Sequence, residues 1–433
     1  MRLAFVSPLP PVASGIADYT ADLLSLVAPR HEIELFHGQD QVESGRLPVS
    51  VPIRPAAELA SRQRERPFDL VVHELGNSPA HDFQYELVSR VPGLLVLHEL
   101  VLHHARAAHF LESEEVRAWR ASPGSAEAKQ RAEPVLEAWR AELEYAYPGR
   151  GARLHAAQLG TVGNLLPYAY PLVRLPVEAS RAIAVHNRFT ADAVRAEVPG
   201  ALVLEAPMPV SRFEVDRAAV RALRERLGFG PEHVVVGVFG LLTPEKRVAS
   251  VARALARAAQ SDDRLRLLLV GPVPDRARLD ADLGRLGLLG RTVVTGRVPL
   301  AELAALIEAA DVVAHLRYPS ARETSAALLR VLAQGRPTLV SDLEHQAELP
   351  DDVVLRIDVA DEDSALESGL KRLAADSALR DRLSRAAAAF VAGEHAPARV
   401  AAAWEAVFET ARQAPVPAAR PGWPRHWPRP EAS

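Results

Sequence analysis

The sequence predicts an α/β protein made of two successive parallel-sheet halves, and three observations carry that prediction. Short apolar runs of strand length alternate with segments of helical period along nearly the whole chain. Polar, glycine and proline residues gather just after those runs, where open α/β sheets place their ligand crevices. The length of 433 residues exceeds what one ordinary core holds, and a proline-bearing stretch, Ala206-Pro207-Met208-Pro209-Val210, reads as a linker near the middle.

In the first half, Leu3 to Val6 reads as a strand, and a helix follows from about Ile16 to Val27. Gly15 opens that helix and leaves its backbone bare for close approach, with Ser14 as the cap and Asp18 in the first turn. Further strands read at Glu32 to Phe36, Leu70 to His73, Leu94 to Leu97, Ala182 to His186 and Leu202 to Glu205. The loop after the third of these six runs carries Asn77 and His81, and His98 stands directly at the end of the fourth. From about 102 to 160 the composition turns to Ala, Glu and Arg, a helical insertion. Its His103, His104 and His109 lack carboxylates or cysteines at ligand spacing, so a metal site is not the expectation. Thr190 reads as the cap of the helix running through Val194.

The second half starts with a helix from Arg217 to Leu227 and a buried strand from Val234 to Phe239. Gly240 ends that strand, and Lys246-Arg247 precede the next helix. Two cations at a helix start are disfavoured by the helix dipole, which points to an anionic ligand such as a diphosphate. Strands follow at Leu265 to Val270 and Val293 to Gly296, then a helix from Glu302 to Ala309. Asp311 to Asp342 reads as strand, loop, helix, turn, strand. Glu323, Thr324 and Ser325 sit at its helix start, Gly335 is the stop and Pro337 forbids restart. A short strand at Val353 to Ile357, helix over Asp363 to Leu383 and a closing helix from Ala398 to Ala411 complete the half.

Composition narrows the function class. Hydrophobic residues make up 48% and charged residues 24%, the balance of a soluble globular protein. The net charge of -4 gives no footprint for nucleic acid. Cysteine is absent, so disulfides, thiolate metal sites and Cys nucleophiles are excluded together. Without a signal-like N-terminus or a bilayer-length apolar run, the expectation is a cytoplasmic protein. The stretch from Ala414 to Ser433 holds six prolines with Trp423 and Trp427 among arginines. It reads as a disordered tail, and its interleaved aromatics and cations leave open a peripheral contact with the inner membrane surface.

These residues together resemble a known family. Pro10 to Leu24, Gly237 to Arg247, Gly296 to Asp311 and Arg317 to Asp342 are similar to the GT-B-fold glycosyltransferases of family 4, in particular a bacterial branch with a Tyr-Pro-x-x-x-Glu-Thr-Ser loop. Asp69 to Tyr85, Val96 to His104 and Val185 to Thr190 also look like that branch. The resemblance implies two Rossmann-like domains facing across a cleft: residues 1–208 for the acceptor and 213–395 for a nucleotide-sugar donor. A closing helix at 396–412 would cross back, with the tail at 413–433. It implies hexosyl transfer with retention of configuration, without a cofactor or bound metal, to a glycan, lipid-linked or small-molecule acceptor.

Carried over residue by residue, His98 would touch the transferred sugar, and Lys246 and Glu323 would join it as catalytic groups. Gly15, Gly240, Lys246, Arg247, Glu323, Thr324, Ser325 and Arg330 would line the donor, with Ser14, Asp18, Asn77 and His81 on the acceptor side. Two positions depart from the pattern. Leu241 stands where many relatives have Arg, and Val331 or Arg330 stands where a ribose-binding Glu is usual. Two other readings follow from the same fold: a binding or assembly subunit with weakened catalysis, and a sugar phosphorylase or epimerase.

Overall fold

A computed structural model describes residues 1–12, 14–160, 165–210 and 212–430. Contacts divide the chain into two compact units.

The first unit comprises Met1–Pro209, Ala321–Thr324 and the chain from Ala398 onward. Its sheet has seven strands: β1 (Arg2–Val6), β2 (Glu32–His37), β3 (Ile53–Pro55), β4 (Leu70–Leu75), β5 (Leu94–Leu97), β6 (Ala182–Val185) and β7 (Val203–Glu205). They are ordered β3-β2-β1-β4-β5-β6-β7, and every pairing is parallel. The order reverses between β1 and β4, so the crevice at their carboxyl ends is the natural ligand position. Leu3, Ala4, Phe5 and Val6 are fully buried, as a strand covered on both faces requires, and each large side chain contributes about 1.5–3 kcal/mol. The edge strand β3 escapes sequence reading because it has three residues and ends in Pro55, which only an edge tolerates.

The helical insertion is observed as His103–Leu111, Glu114–Ala121, Ala126–Ala146 and Gly151–Leu159, packed around Phe110, Trp139 and Leu143. Ser113 and Ser125 cap two of these helices, accepting from Val116 N and Ala128 N.

The second unit comprises Val210–Ser320 and Ser325–Pro397. Its six strands are β8 (Val234–Phe239), β9 (Leu265–Val270), β10 (Thr292–Gly296), β11 (Val312–His315), β12 (Thr338–Ser341) and β13 (Leu355–Ile357). Their order, β10-β9-β8-β11-β12-β13, is the doubly wound arrangement, all parallel, with its reversal between β8 and β11. The helix expected over Asp363 to Leu383 is two, Glu362–Ala375 and Ser377–Glu394. Asp376 separates them and caps the second through Leu379 N.

The expectation of a disordered tail is corrected for residues 414–430, while its last three residues, 431–433, lie outside the described residues. Trp423 and Trp427 are buried against the core of the first unit. Trp427 Nε1 donates to the buried Glu142 carboxylate, His426 Nε2 lies 2.9 Å from it, and Arg420 pairs with Glu178 at 3.1 Å. The tail is ordered by these long-range partners rather than by any periodicity of its own.

Candidate active site

In the first unit, the switch point gathers residues from β1, β4 and β5. Ser14 caps the helix Gly15–Val27 through Ile16 N, and a side chain at Gly15 would meet nothing within 4 Å. Its backbone therefore stays open to a ligand. His98, just past β5, bonds through Nε2 to Glu74 Oε2 at 2.6 Å, and Glu74 is fully buried on β4. Burial pushes His98 down to about 3 and raises Glu74 well above the carboxylate range. Burial thus favours the uncharged form of each member of the pair. Tyr19 packs roughly edge-to-face with His98, ring centroids 4.5 Å apart, and among the described residues its buried hydroxyl has no hydrogen-bond partner.

Glu74 escaped sequence reading. The available signal was an acid beside His73 in a strand whose other residues are apolar.

The acceptor-side candidates divide. Asp18 is half-buried in the first helical turn. Asn77 is used structurally: its N–H donates to Glu99 at 2.6 Å and its Oδ1 accepts from Ala105 N at 2.8 Å. His81 is buried, bonds through Nδ1 to Glu74 O at 2.9 Å, and is held by burial at about 3. These two shape the loop around Glu74. The expected cap Thr190 is replaced by Asn187, whose Oδ1 accepts from Thr190 N at 2.7 Å. The insertion histidines do not converge: His103 bonds Tyr170 O, His104 packs on Tyr168 and His109 bonds Asp82.

The expected donor loop is split between the units. Ala321–Thr324 belong to the first. Leu100 N and Val101 N donate to Ala321 O, Thr190 Oγ1 donates to Arg322 O, and Asn187 Nδ2 donates to Thr324 Oγ1 at 2.5 Å. Glu323 is half-buried on this segment. Ser325 belongs to the second unit, where it caps the helix Ala326–Ala333 through Leu328 N. That helix begins three residues later than Glu323, because the segment's backbone follows the first unit's contacts.

The second unit forms an electropositive group past β8 and β11. Gly240 has φ +107° and Gly271 has φ +135°, and a side chain at Gly271 would overlap Gly240 O at 2.0 Å. These glycines let two strand ends cross closely. Lys246, on the turn Pro244–Lys246, is mostly buried, with its Nζ 3.3 Å from where a Cβ on Gly240 would stand. His315 is buried at the end of β11. Burial, then the charges of Arg317, Lys246 and His345, hold it well below the usual imidazole range. Among the described residues, His315 Nε2 and both amide atoms of buried Gln346 have no hydrogen-bond partner. Buried polar groups normally have partners, and a polar ligand would supply them.

Arg247, expected on the donor, is held by an acidic partner. It sits at φ +57°, and its guanidinium is engaged by Glu362 at 2.7–3.0 Å. Arg330 lies largely buried in the helix Ala326–Ala333. His315, Arg317 and Gln346 were not legible as site residues, because nothing local distinguishes them from strand-end and turn residues.

Residues 233–376, which span most of the second unit and the segment 321–324, match the family model for Glycosyl transferases group 1. A curated 2-deoxystreptamine glucosyltransferase of Streptomyces kanamyceticus is 32% identical over 164 residues, 36% of this chain and 41% of that protein. The chain thus matches less than half the length of this relative. Among solved structures, HepE of Anabaena in complex with UDP-glucose aligns with TM-score 0.64 at 15% identity, over 94% of this chain and all of that one. A glycosyltransferase of Rickettsia africae aligns with TM-score 0.64 at 9% identity, over 95% and 98%. WaaG, a glycosyltransferase involved in lipopolysaccharide biosynthesis, gives 0.58 at 14%, over 92% and 98%. With the two Rossmann-like units, these likenesses establish the GT-B fold.

Proposed function

We propose that this protein is a glycosyltransferase that moves a hexosyl group from a nucleoside diphosphate sugar to an acceptor hydroxyl, with retention of configuration and without a bound metal ion. The observation that carries this reading is the group formed by Lys246, His315, Arg317 and His345 beside Gly240, within the residues that match the group 1 family. Fixed positive charge in a buried site stabilises a diphosphate as it leaves, with no reorganisation at the moment of reaction. The helix start at Ser325 adds backbone donors for phosphate.

In the first unit, His98 is a neutral hydrogen-bonding partner for the transferred sugar rather than a base. Glu74 fixes its ring through Nε2 and so aims the other nitrogen. The acceptor hydroxyl then loses its proton to the departing phosphate, which explains why the mechanism asks for no dedicated protein base. UDP-glucose is the first donor to test, since the Anabaena neighbour carries it and the Streptomyces relative is named for glucosyl transfer.

The test is product detection by mass spectrometry across several nucleotide sugars, with the anomeric configuration read by NMR. His98→Ala and Lys246→Ala are expected to lower turnover by roughly 100-fold or more with folding intact. Turnover unchanged in both variants refutes the assignment. A second reading, a donor-binding subunit with weakened catalysis, is favoured by Leu241 and Arg330, which depart from the pattern that the family resemblance implies. It predicts donor binding with no transfer to any acceptor.

A further inference from the structure

The segment Ala321–Thr324 is tied to the rest of the first unit along its length. Ala321 O accepts from both Leu100 N and Val101 N at 3.1 Å. Arg322 O accepts from the buried Thr190 hydroxyl at 3.3 Å, and Thr324 Oγ1 accepts from Asn187 Nδ2 at 2.5 Å. Between these anchors Arg322 sits at φ +60°, a left-handed conformation that a residue with a side chain keeps only when its surroundings hold it. A turn fixed from several sides in this way presents its side chains in one arrangement.

Asn187 divides its amide between two tasks. Its Oδ1 accepts from Thr190 N at 2.7 Å and so caps the helix Arg188–Glu197. A backbone N–H can only donate, so the amide oxygen faces Thr190 and the NH2 group faces Thr324. This orientation decides what Thr324 can do. Its hydroxyl oxygen is used as an acceptor, so its hydrogen points elsewhere, on a side chain that is only half-buried. The other side-chain caps of α-helices among the described residues are serines, as at Ser113 and Ser125, or aspartates, as at Asp216 and Asp376. A serine at 187 would cap as well but has no second group for Thr324. An aspartate would cap as well but would accept the Thr324 hydrogen rather than direct it away.

We propose that Asn187 is a positioning residue of the donor site, which turns the hydroxyl hydrogen of Thr324 towards a diphosphate oxygen of the nucleoside diphosphate sugar. The proposal rests on the transferase reading, in which the next residue in the chain, Ser325, opens the helix start assigned to phosphate.

The full-length protein is titrated with UDP, GDP and ADP by calorimetry, and the tightest binder is carried through the variants. Asn187→Ser keeps the cap and removes the arm to Thr324, and is expected to weaken binding by about fivefold. Asn187→Asp also keeps the cap, but it takes the hydroxyl hydrogen and sets a negative charge beside it, so binding is expected to weaken by about tenfold or more. Thr324→Val is expected to weaken binding by about tenfold, and Asn187→Ser should add nothing in that background. Thermal unfolding of the two capping variants is expected to match that of the wild type. If Asn187 serves only the helix, both capping variants bind as the wild type does, and that result overturns the proposal. An Asn187→Ser effect that persists undiminished with Thr324→Val, or weaker binding that only follows a loss of thermal stability, overturns it too. If the wild type transfers sugar and the variants bind as it does, the transferase reading stands without this role for Asn187. If the wild type binds none of the three nucleotides, both fall.

Discussion

Acidification from pH 6.5 to 5.5 is expected to loosen the first unit selectively. Four of its histidines are buried and held by burial below the ordinary value of 6.5: His73 and His103 at about 4, His81 and His98 at about 3. In this window the unfolded chain binds protons that the folded unit refuses, so stability falls as pH falls. Each histidine costs about 1 kcal/mol over that one pH step, or about 4 kcal/mol for the four. Glu74 acts in the opposite sense. Its raised folded value lets acidification favour the folded state and offsets part of the loss. A loss approaching about 4 kcal/mol is a large share of a typical domain's stability and corresponds to roughly 1 M or more in urea midpoint. The assay uses a convenient asymmetry. All five tryptophans, 119, 139, 404, 423 and 427, lie in the first unit, so tryptophan fluorescence follows that unit while circular dichroism follows both. His73→Gln keeps a donor for Val91 O and removes one titrating ring, so it should recover about 1 kcal/mol of the loss. A fluorescence midpoint that moves by less than about 0.2 M between the two pH values refutes the reasoning.

Other outcomes follow from the second unit and the first unit's dyad. Gly240→Ala places a methyl against Lys246 at a backbone angle unsuited to it, so donor affinity should fall and stability drop by about 1–3 kcal/mol, read by calorimetry and thermal unfolding. Arg247→Ala strips the partner from largely buried Glu362, and should lower stability by about 1–3 kcal/mol while leaving the KM for donor nearly unchanged. A large KM rise with normal stability would instead return Arg247 to the donor site. Glu74→Leu frees the His98 ring and should reduce kcat more than KM. Glu74→Gln, which can still bond Nε2, should recover part of that loss in the same steady-state assay.

The two sheets were legible because strands buried on both faces leave continuous runs such as Val234 to Phe239, and crossover helices separate them at regular intervals. Strand ends were legible too, which is why Gly15, His98, Gly240 and Lys246 could be singled out without coordinates. What stayed hidden depends on partners distant in sequence. Glu362 engages Arg247 from 115 positions away, and Glu142 orders Trp427 from 285 positions away. No window of composition carries such information, and Trp- and Pro-rich sequence without a period reads as disorder. Glu74 was hidden differently: its burial follows from the strand, but its bond to His98 exists only because β4 and β5 are neighbours in the sheet.

The division of the chain has a consequence for its synthesis. The polypeptide passes between units four times, at 209/210, 320/321, 324/325 and 397/398. The first unit to emerge from a ribosome is therefore among the last to be finished. Trp404 is fully buried, packs on Tyr19 and donates to Pro207 O, while Phe408 packs on Phe5. At ordinary elongation rates, about 10–40 s separate the exit of residue 209 from that of residue 398. Throughout that interval the apolar surface that Trp404 and Phe408 cover lacks these partners.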